Sequence, residues 1–247
     1  MKAFNAIIKT ESKLVLRGMD TIFFGVLMPI VVAVILGFIN GNKPAYEGAN
    51  YSFMQQSFGA LSSIGICATG LMGFPLVIAD YRHKKILKRF QVTPVSPAII
   101  LLVQCVINLV ISLISLLCVY TICALLFQYK MAGSLGMFLL AYGLVLIAIY
   151  GIGMMLSSVS PNIKTANLLC TLIYFPMILF SGATIPYEIM PTGAQKIMDF
   201  LPLTQGIKLL KAVSLNLPLN NVFFQVCLMA MFAVVCIIIS IRFFKWE

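Results

Sequence analysis

Apolar residues fall along this chain in six long runs: Thr21–Ile39, Phe58–Ala79, Ala98–Phe127, Ser134–Ser157, Thr165–Ala183 and Val222–Ile241. None of the six contains Asp, Glu, Lys or Arg. About 20 helical residues cross the ~30 Å hydrocarbon core of a bilayer, so each run is long enough to span. The runs are continuously apolar. Barrel strands would alternate, whereas a helix satisfies its own backbone inside lipid. The pattern predicts an all-α, polytopic membrane protein with six transmembrane helices. The third run exceeds the length a span requires, which allows tilt or extension past the surface.

Three further segments carry a weaker pattern. In Lys2–Gly18, the apolar residues Phe4, Ile7, Ile8, Leu14 and Val15 recur at helical spacing, with Lys2, Lys9 and Lys13 largely on the other side. This predicts an N-terminal amphipathic helix lying in the membrane interface; a plain basic anchor is the alternative. The loop Asp80–Pro97 groups Ile86, Leu87 and Phe90 beside Arg82, Lys84, Lys85, Lys88 and Arg89. A short helix here would present a small apolar stripe next to a basic face, ended by Pro94 and Pro97. Such a stripe suits docking on a partner protein; a solvated basic loop near anionic lipid is the alternative. The stretch Thr184–Asn221 holds two short apolar pieces, about Thr192–Leu201 and Gln205–Val213, punctuated by Pro186, Pro191, Pro202 and Pro218. Neither can span, and Thr204 is the expected N-cap of the second.

Composition supports a membrane location. Hydrophobic residues make up 61% and charged residues 10%, against about 45–50% and about 25% in soluble domains. A globule of this size could not hide so much apolar surface from water. No linker or clear repeat divides the chain, so residues 1–247 are expected to form a single transmembrane domain. The first run begins behind a charged segment too long for a signal-peptide n-region, which predicts a retained span.

The net charge of +10 sits at the ends of the runs and sets orientation, with no soluble module for nucleic acid. Lys2, Lys9, Lys13, Arg17, the five basic residues of Asp80–Pro97, Lys164, Arg242 and Lys245 fall on one side. Only Lys43, Lys130, Lys196, Lys208 and Lys211 fall on the other. Basic residues accumulate in cytoplasmic loops, so both termini are expected to face the cytoplasm of a cell membrane. The seven cysteines all lie in apolar runs without a CxxC pair, and are expected to be small buried hydrophobes.

No catalytic constellation emerges. His83 is the single histidine, and HExxH, GxSxG and GxxxxGK[ST] are absent from the sequence. No catalytic or metal-ligating residue is assigned. Ion-coupled carriers usually hold an ionisable group near the midplane, yet every acid here lies outside the runs. An energy source outside this chain is expected. Gln104 and Asn108 share a helix face and, with Asn167, suit interhelical hydrogen bonds. Glycines 59, 65, 70, 73, 143, 151 and 153 are expected to permit close helix contact.

Three stretches carry a family resemblance in their order and spacing: KKILKRFQVTPVSP; GIGMMLSSVSPNIKTANLL; and FPMILFSGATIPYEIMP with the later LPLTQGIKLL. With six spans, the chain resembles the permease subunits of ABC transporters of the type-2 exporter class. The resemblance implies that two six-helix units pair, as a homodimer or with a paralogous permease, and that each docks on a separate ABC ATPase subunit. ATP and Mg would be bound by that ATPase, leaving no cofactor in this chain. The N-terminal helix would be the interfacial connecting helix. A short cytoplasmic coupling helix, about Tyr81–Gln91, would sit in a cleft of the ATPase. Ile86, Leu87 and Phe90 would make apolar contacts there, and Arg82, Lys84, Lys88 and Arg89 would pair with carboxylates. The segment marked by Pro186, Glu188, Pro191 and Pro202 would form the short external re-entrant helices. Coupling loops of the family often mix acidic residues and a Gly-Thr pair where this chain has His83-Lys84-Lys85, so its polar contacts with the ATPase are expected to differ. A path without charged side chains suits amphipathic or lipophilic cargo: a drug, lipid or peptide-like molecule. The rival readings are a membrane-embedded lipid-modifying enzyme, which needs an interfacial cluster of acids or His, and a non-transporting membrane scaffold.

Overall fold

The computed structural model describes residues 2–18, 20–41, 43–45, 49, 51–87, 97–184, 187, 190–217 and 222–243; for residues 2, 3, 5, 6, 17, 20, 97 and 98 the backbone alone is described. The described residues form nine helices and no strand. Helix α1 is Lys2–Gly18. Helix α2 runs through Asp20–Ile22, a π turn at Phe23–Leu27, and Met28–Asn40. Helix α3 is Phe53–His83, with a second π turn at Thr69–Gly73. Then come α4 (Pro97–Phe127), α5 (Leu135–Val159), α6 (Ile163–Phe180), α7 (Thr192–Met198), α8 (Pro202–Ser214) and α9 (Val222–Phe243). Helices α2, α3, α4, α5, α6 and α9 are long and apolar enough to cross a membrane.

The spans agree with the apolar runs except at α3, which extends beyond Phe58–Ala79 at both ends. At its start, Ser52 and Gln55 form a capping box: Gln55 N donates to Ser52 Oγ at 3.2 Å, and Ser52 N donates to Gln55 Oε1 at 2.9 Å. Two orphan donors of the first turn are thereby satisfied, so the helix begins among polar residues that hydropathy alone reads as loop. Helix α3 is also the centre of the bundle. Its most apolar stretch is 83% buried, against 22% for those of α2, α6 and α9. The three exposed spans show Phe38, Leu168, Leu172, Phe223 and Ile241 on their outer faces, as side chains facing lipid do.

Small residues bring helices onto α3. A Cβ on Gly153 of α5 would collide with the carbonyl oxygen of Gly70, and one on Gly59 would lie 2.9 Å from the Lys211 nitrogen of α8. Close backbone approach replaces apolar burial as the packing force between helices in lipid. Gly143, in contrast, has nothing within 4 Å of such a Cβ, so the close contact expected there is absent among the described residues. The two π turns meet: Gly25 lies against Thr69, whose hydroxyl donates to Gly65 O at 2.8 Å and accepts from Tyr150 Oη at 2.9 Å. Of the cysteines, Cys67, Cys123, Cys170 and Cys236 are buried as expected, while Cys227 is exposed.

Alternation of the spans puts α1, the end of α3, the start of α4 and the end of α5 at one end of the bundle. The start of α3, the ends of α2 and α6, and helices α7 and α8 lie at the other.

Candidate functional site

The end of α3 near α1 holds the segment singled out by its charge. Helix α3 continues through Tyr81, Arg82 and His83, then breaks. Lys84 leaves helical geometry (ψ 3°), and Lys85 takes a positive φ of 55°. Such a backbone is strained for a residue with a side chain. Helix resumes at Ile86 and Leu87, the last described residues before Pro97. Over its described part, residues 81–87, the helix expected at Tyr81–Gln91 is broken: Tyr81–His83 belong to the span, and helix resumes at Ile86.

That division changes the role of two residues. Arg82 was expected to reach outward, but it is 8% exposed, and its Nη1 donates to Ser157 O at 3.0 Å and Ser160 O at 2.7 Å. These carbonyls belong to the last turn and cap of α5, where helix polarity favours a cation. Leu87 was expected as an outward apolar contact. It is fully buried against Tyr81 and Ile100, with Val77 and Ile86 packed around them. Ile86 remains partly exposed. Lys84 is exposed and pairs with Asp80 at 2.7 Å across one turn, a contact of little energetic weight at a surface. Lys88, Arg89 and Phe90 lie outside the described residues.

Beneath Leu87 sits a polar node that composition did not reveal. The Tyr81 hydroxyl donates to Glu11 Oε2, and Gln104 Nε2 donates to the same oxygen at 2.6 Å. One carboxylate oxygen of α1 therefore joins α3 and α4. Gln104 fulfils the expected interhelical hydrogen bond, whereas Asn108 donates to Gln104 O within α4. The apolar face of α1 lies on the same helix: Phe4, Ile7, Ile8 and Val15 pack on Val103, Ile107 and Ile111. Leu14 and Leu16 stay exposed. The amphipathic pattern of α1 therefore reflects contact with α4. The missed signal was Glu11, an acid within a helix otherwise rich in lysine.

At the opposite end, α7 and α8 begin at Pro191 and Pro202. Pro191 is the N-cap of α7, and Pro202 opens α8, where a fixed φ and a missing N–H are tolerated. The prolines start these helices, and Thr204, expected as a cap, is a buried residue of the first turn of α8. Pro186 and Glu188 lie outside the described residues. Asp199 organises the hairpin: Lys208 Nζ donates to Oδ1 at 2.6 Å, Tyr187 Oη to Oδ2 at 3.2 Å, and Gln205 Nε2 to its carbonyl at 2.7 Å. Lys208 also sits 4.1 Å from the Tyr187 ring centroid, a cation–π contact. The backbone nitrogens of Ala132 and Gly133 donate to Ser214 O, tying α8 to the α4–α5 connection.

Comparison with known proteins adds three findings. The family model described as ABC-2 type transporter matches residues 2–215. Nodulation protein J of Rhizobium leguminosarum bv. viciae is 32% identical over 106 residues, 41% of this chain and 41% of that protein. The inner membrane transport permease YhhJ of Escherichia coli (strain K12) is 27% identical over 154 residues, 62% of this chain and 41% of that protein. The chain thus spans about two fifths of the length of the curated relatives it matches.

Proposed function

The chain belongs to the ABC-2 type transporter family, and from that premise we propose that it is the membrane-spanning permease subunit of an ATP-driven exporter. A separate ABC ATPase docks on the segment after α3 and supplies ATP and Mg chemistry; this chain supplies the path. One observation carries the reading. The segment that leaves α3 at Lys84 is anchored by Leu87 against Tyr81, and Tyr81 is hydrogen-bonded to Glu11 of α1. A push on residues 84–87 is passed to α1, α3 and α4 together. Ile86 and Phe90 supply the apolar contacts with the ATPase, and Lys84, Lys88 and Arg89 pair with its carboxylates. Arg82 and Leu87 act from inside, fixing the segment to its own bundle.

A second permease subunit completes the path, as another copy of this chain or a paralogue. Asn167 is exposed on α6 beside Leu168, and a polar side chain on a lipid-facing surface favours a partner helix that can hydrogen-bond it. Orientation follows the basic residues, with both termini and the docking segment on the cytoplasmic side of the cell membrane. Cargo is amphipathic or lipophilic.

Phe90→Asp tests the docking directly. Export of cargo from vesicles holding the permease and its ATPase should fall at least tenfold, with the variant inserted at wild-type level and its ATPase no longer retained on co-purification. Unchanged export by an inserted Phe90→Asp chain would sink the proposal.

A further inference from the structure

A cavity of about 340 Å³ opens at the end of the bundle opposite α1, between α2, the start of α3, the end of α6 and α8. Its lining is mixed. Leu36 and Ile207 give apolar wall, and Lys208 and Lys211 line the same space. Gln56 and Thr204 also line it, at 6% and 1% exposure. Among the described residues, neither Gln56 Oε1 nor Thr204 Oγ1 has a hydrogen-bond partner.

Buried polar atoms are nearly always satisfied, because an unmet group forfeits its hydration with nothing in return. Two such atoms on facing elements of one cavity mark a place where something else supplies the partners. Gln56 Oε1 can only accept, so the occupant must donate from an O–H or N–H. Thr204 can donate to an anionic oxygen, and although Lys208 is paired with Asp199 at 2.6 Å, the two lysines leave a net positive charge beside the cavity. The apolar wall suits a hydrocarbon tail.

We propose that this cavity binds the head of one acidic, hydroxyl-bearing amphiphile, its hydroxyl on Gln56 and its anionic group toward Thr204 and the lysines. On the orientation adopted above, the site opens at the outer leaflet. That orientation and the exporter function rest on the family reading; the cavity's binding chemistry does not. The occupant is either a resident bilayer lipid or cargo on its way out, since both can present this head.

Phosphatidylglycerol is the probe, with phosphatidylcholine of the same tails as the comparison. The full chain is purified in detergent, and retained lipid is counted by native mass spectrometry at equal supply of both. One phosphatidylglycerol should be retained per chain, with roughly tenfold preference, the ratio that about 1.4 kcal/mol gives. Gln56→Leu and Thr204→Val should each bring the preference close to parity. Both variants should unfold normally in phosphatidylcholine, since they remove unmet polar groups. Absence of preference in the wild type, or a preference that survives both variants, overturns the site and leaves ordered water as the partner of these atoms.

A second arm separates the two sources. With the ATPase present in vesicles, fluorescent phosphatidylglycerol that crosses in an ATP-dependent way is cargo; one that binds without crossing is a resident lipid. Either result supports the cavity as a site. Failure of ATP-driven transport for every amphipathic cargo tested, with phosphatidylglycerol binding intact, would count against the exporter reading alone.

Discussion

The two ends of α3 are built on opposite principles. At the His83 end, polar side chains are spent on joining helices: Arg82 caps α5, and Tyr81 meets Glu11 of α1 beside Gln104 of α4. At the Phe53 end, the same helix borders open space, and Gln56 holds an acceptor with no partner among the described residues. One end is locked and the other accommodates. Between them lies the π turn Thr69–Gly73, where the regular ladder is interrupted and Thr69 is held by Tyr150. Wide turns of this kind often mark places where a helix works. A locked end suits the transmission of force; a roomy end suits a ligand.

Substitutions on α3 and at its α1 partner Glu11 can break this contrast. The largest effect is expected for Arg82→Leu. It removes two charge-assisted hydrogen bonds and strands the carbonyls of Ser157 and Ser160, at about 3 kcal/mol. Thermal unfolding in detergent should show a clear drop; a midpoint within a degree of wild type would mean that the two helices are not held this way. Glu11→Ala comes next, at about 2 kcal/mol, because Tyr81 and Gln104 both lose their acceptor. Trypsin sensitivity at the lysines of α1 should rise in this variant and stay low in wild type.

Tyr81→Phe should cost about 1 kcal/mol. Its informative readout is the double-mutant cycle with Glu11→Ala: the hydroxyl effect should vanish once Glu11 is gone. Additive losses would separate the two residues. The smallest effect belongs to the other end. Gln56→Leu should leave stability unchanged or slightly raised in neutral detergent, since it deletes an unmet acceptor. A loss of more than about 1 kcal/mol would show that the amide holds the bundle together there and would erase the contrast.

The spans and the basic segment were legible because hydropathy and charge are local properties. Twenty apolar residues demand lipid whatever their neighbours are. Element ends were less legible. The capping box at Ser52–Gln55 began α3 among residues read as loop. Pro202 opened α8 two residues before the cap expected at Thr204. At Ser52–Gln55 the reciprocal hydrogen bonds of the cap outweighed the hydropathy of the turn; at Pro202 the fixed φ of proline set the start.

The candidate site divided in the same way. Lys84 is exposed and Ile86 half-buried, while Arg82 and Leu87 turn inward. A basic residue beside a stripe of apolar ones looks identical in sequence whether its partner is another protein or the next helix. The break at Lys84–Lys85 had no glycine or proline to announce it.

What the sequence determined alone is that this chain lives in a bilayer, crosses it with six helices and concentrates its positive charge after the second. Each of those follows from the transfer of single segments between water and lipid, which needs no knowledge of neighbours. Tertiary structure alone decided that Arg82 seals α5, that Glu11 binds α1 to Tyr81, and that Gln56 and Thr204 share a cavity. Those pairings join residues 70 to 148 positions apart, and such meetings are settled by which helices pack together rather than by any stretch of chain.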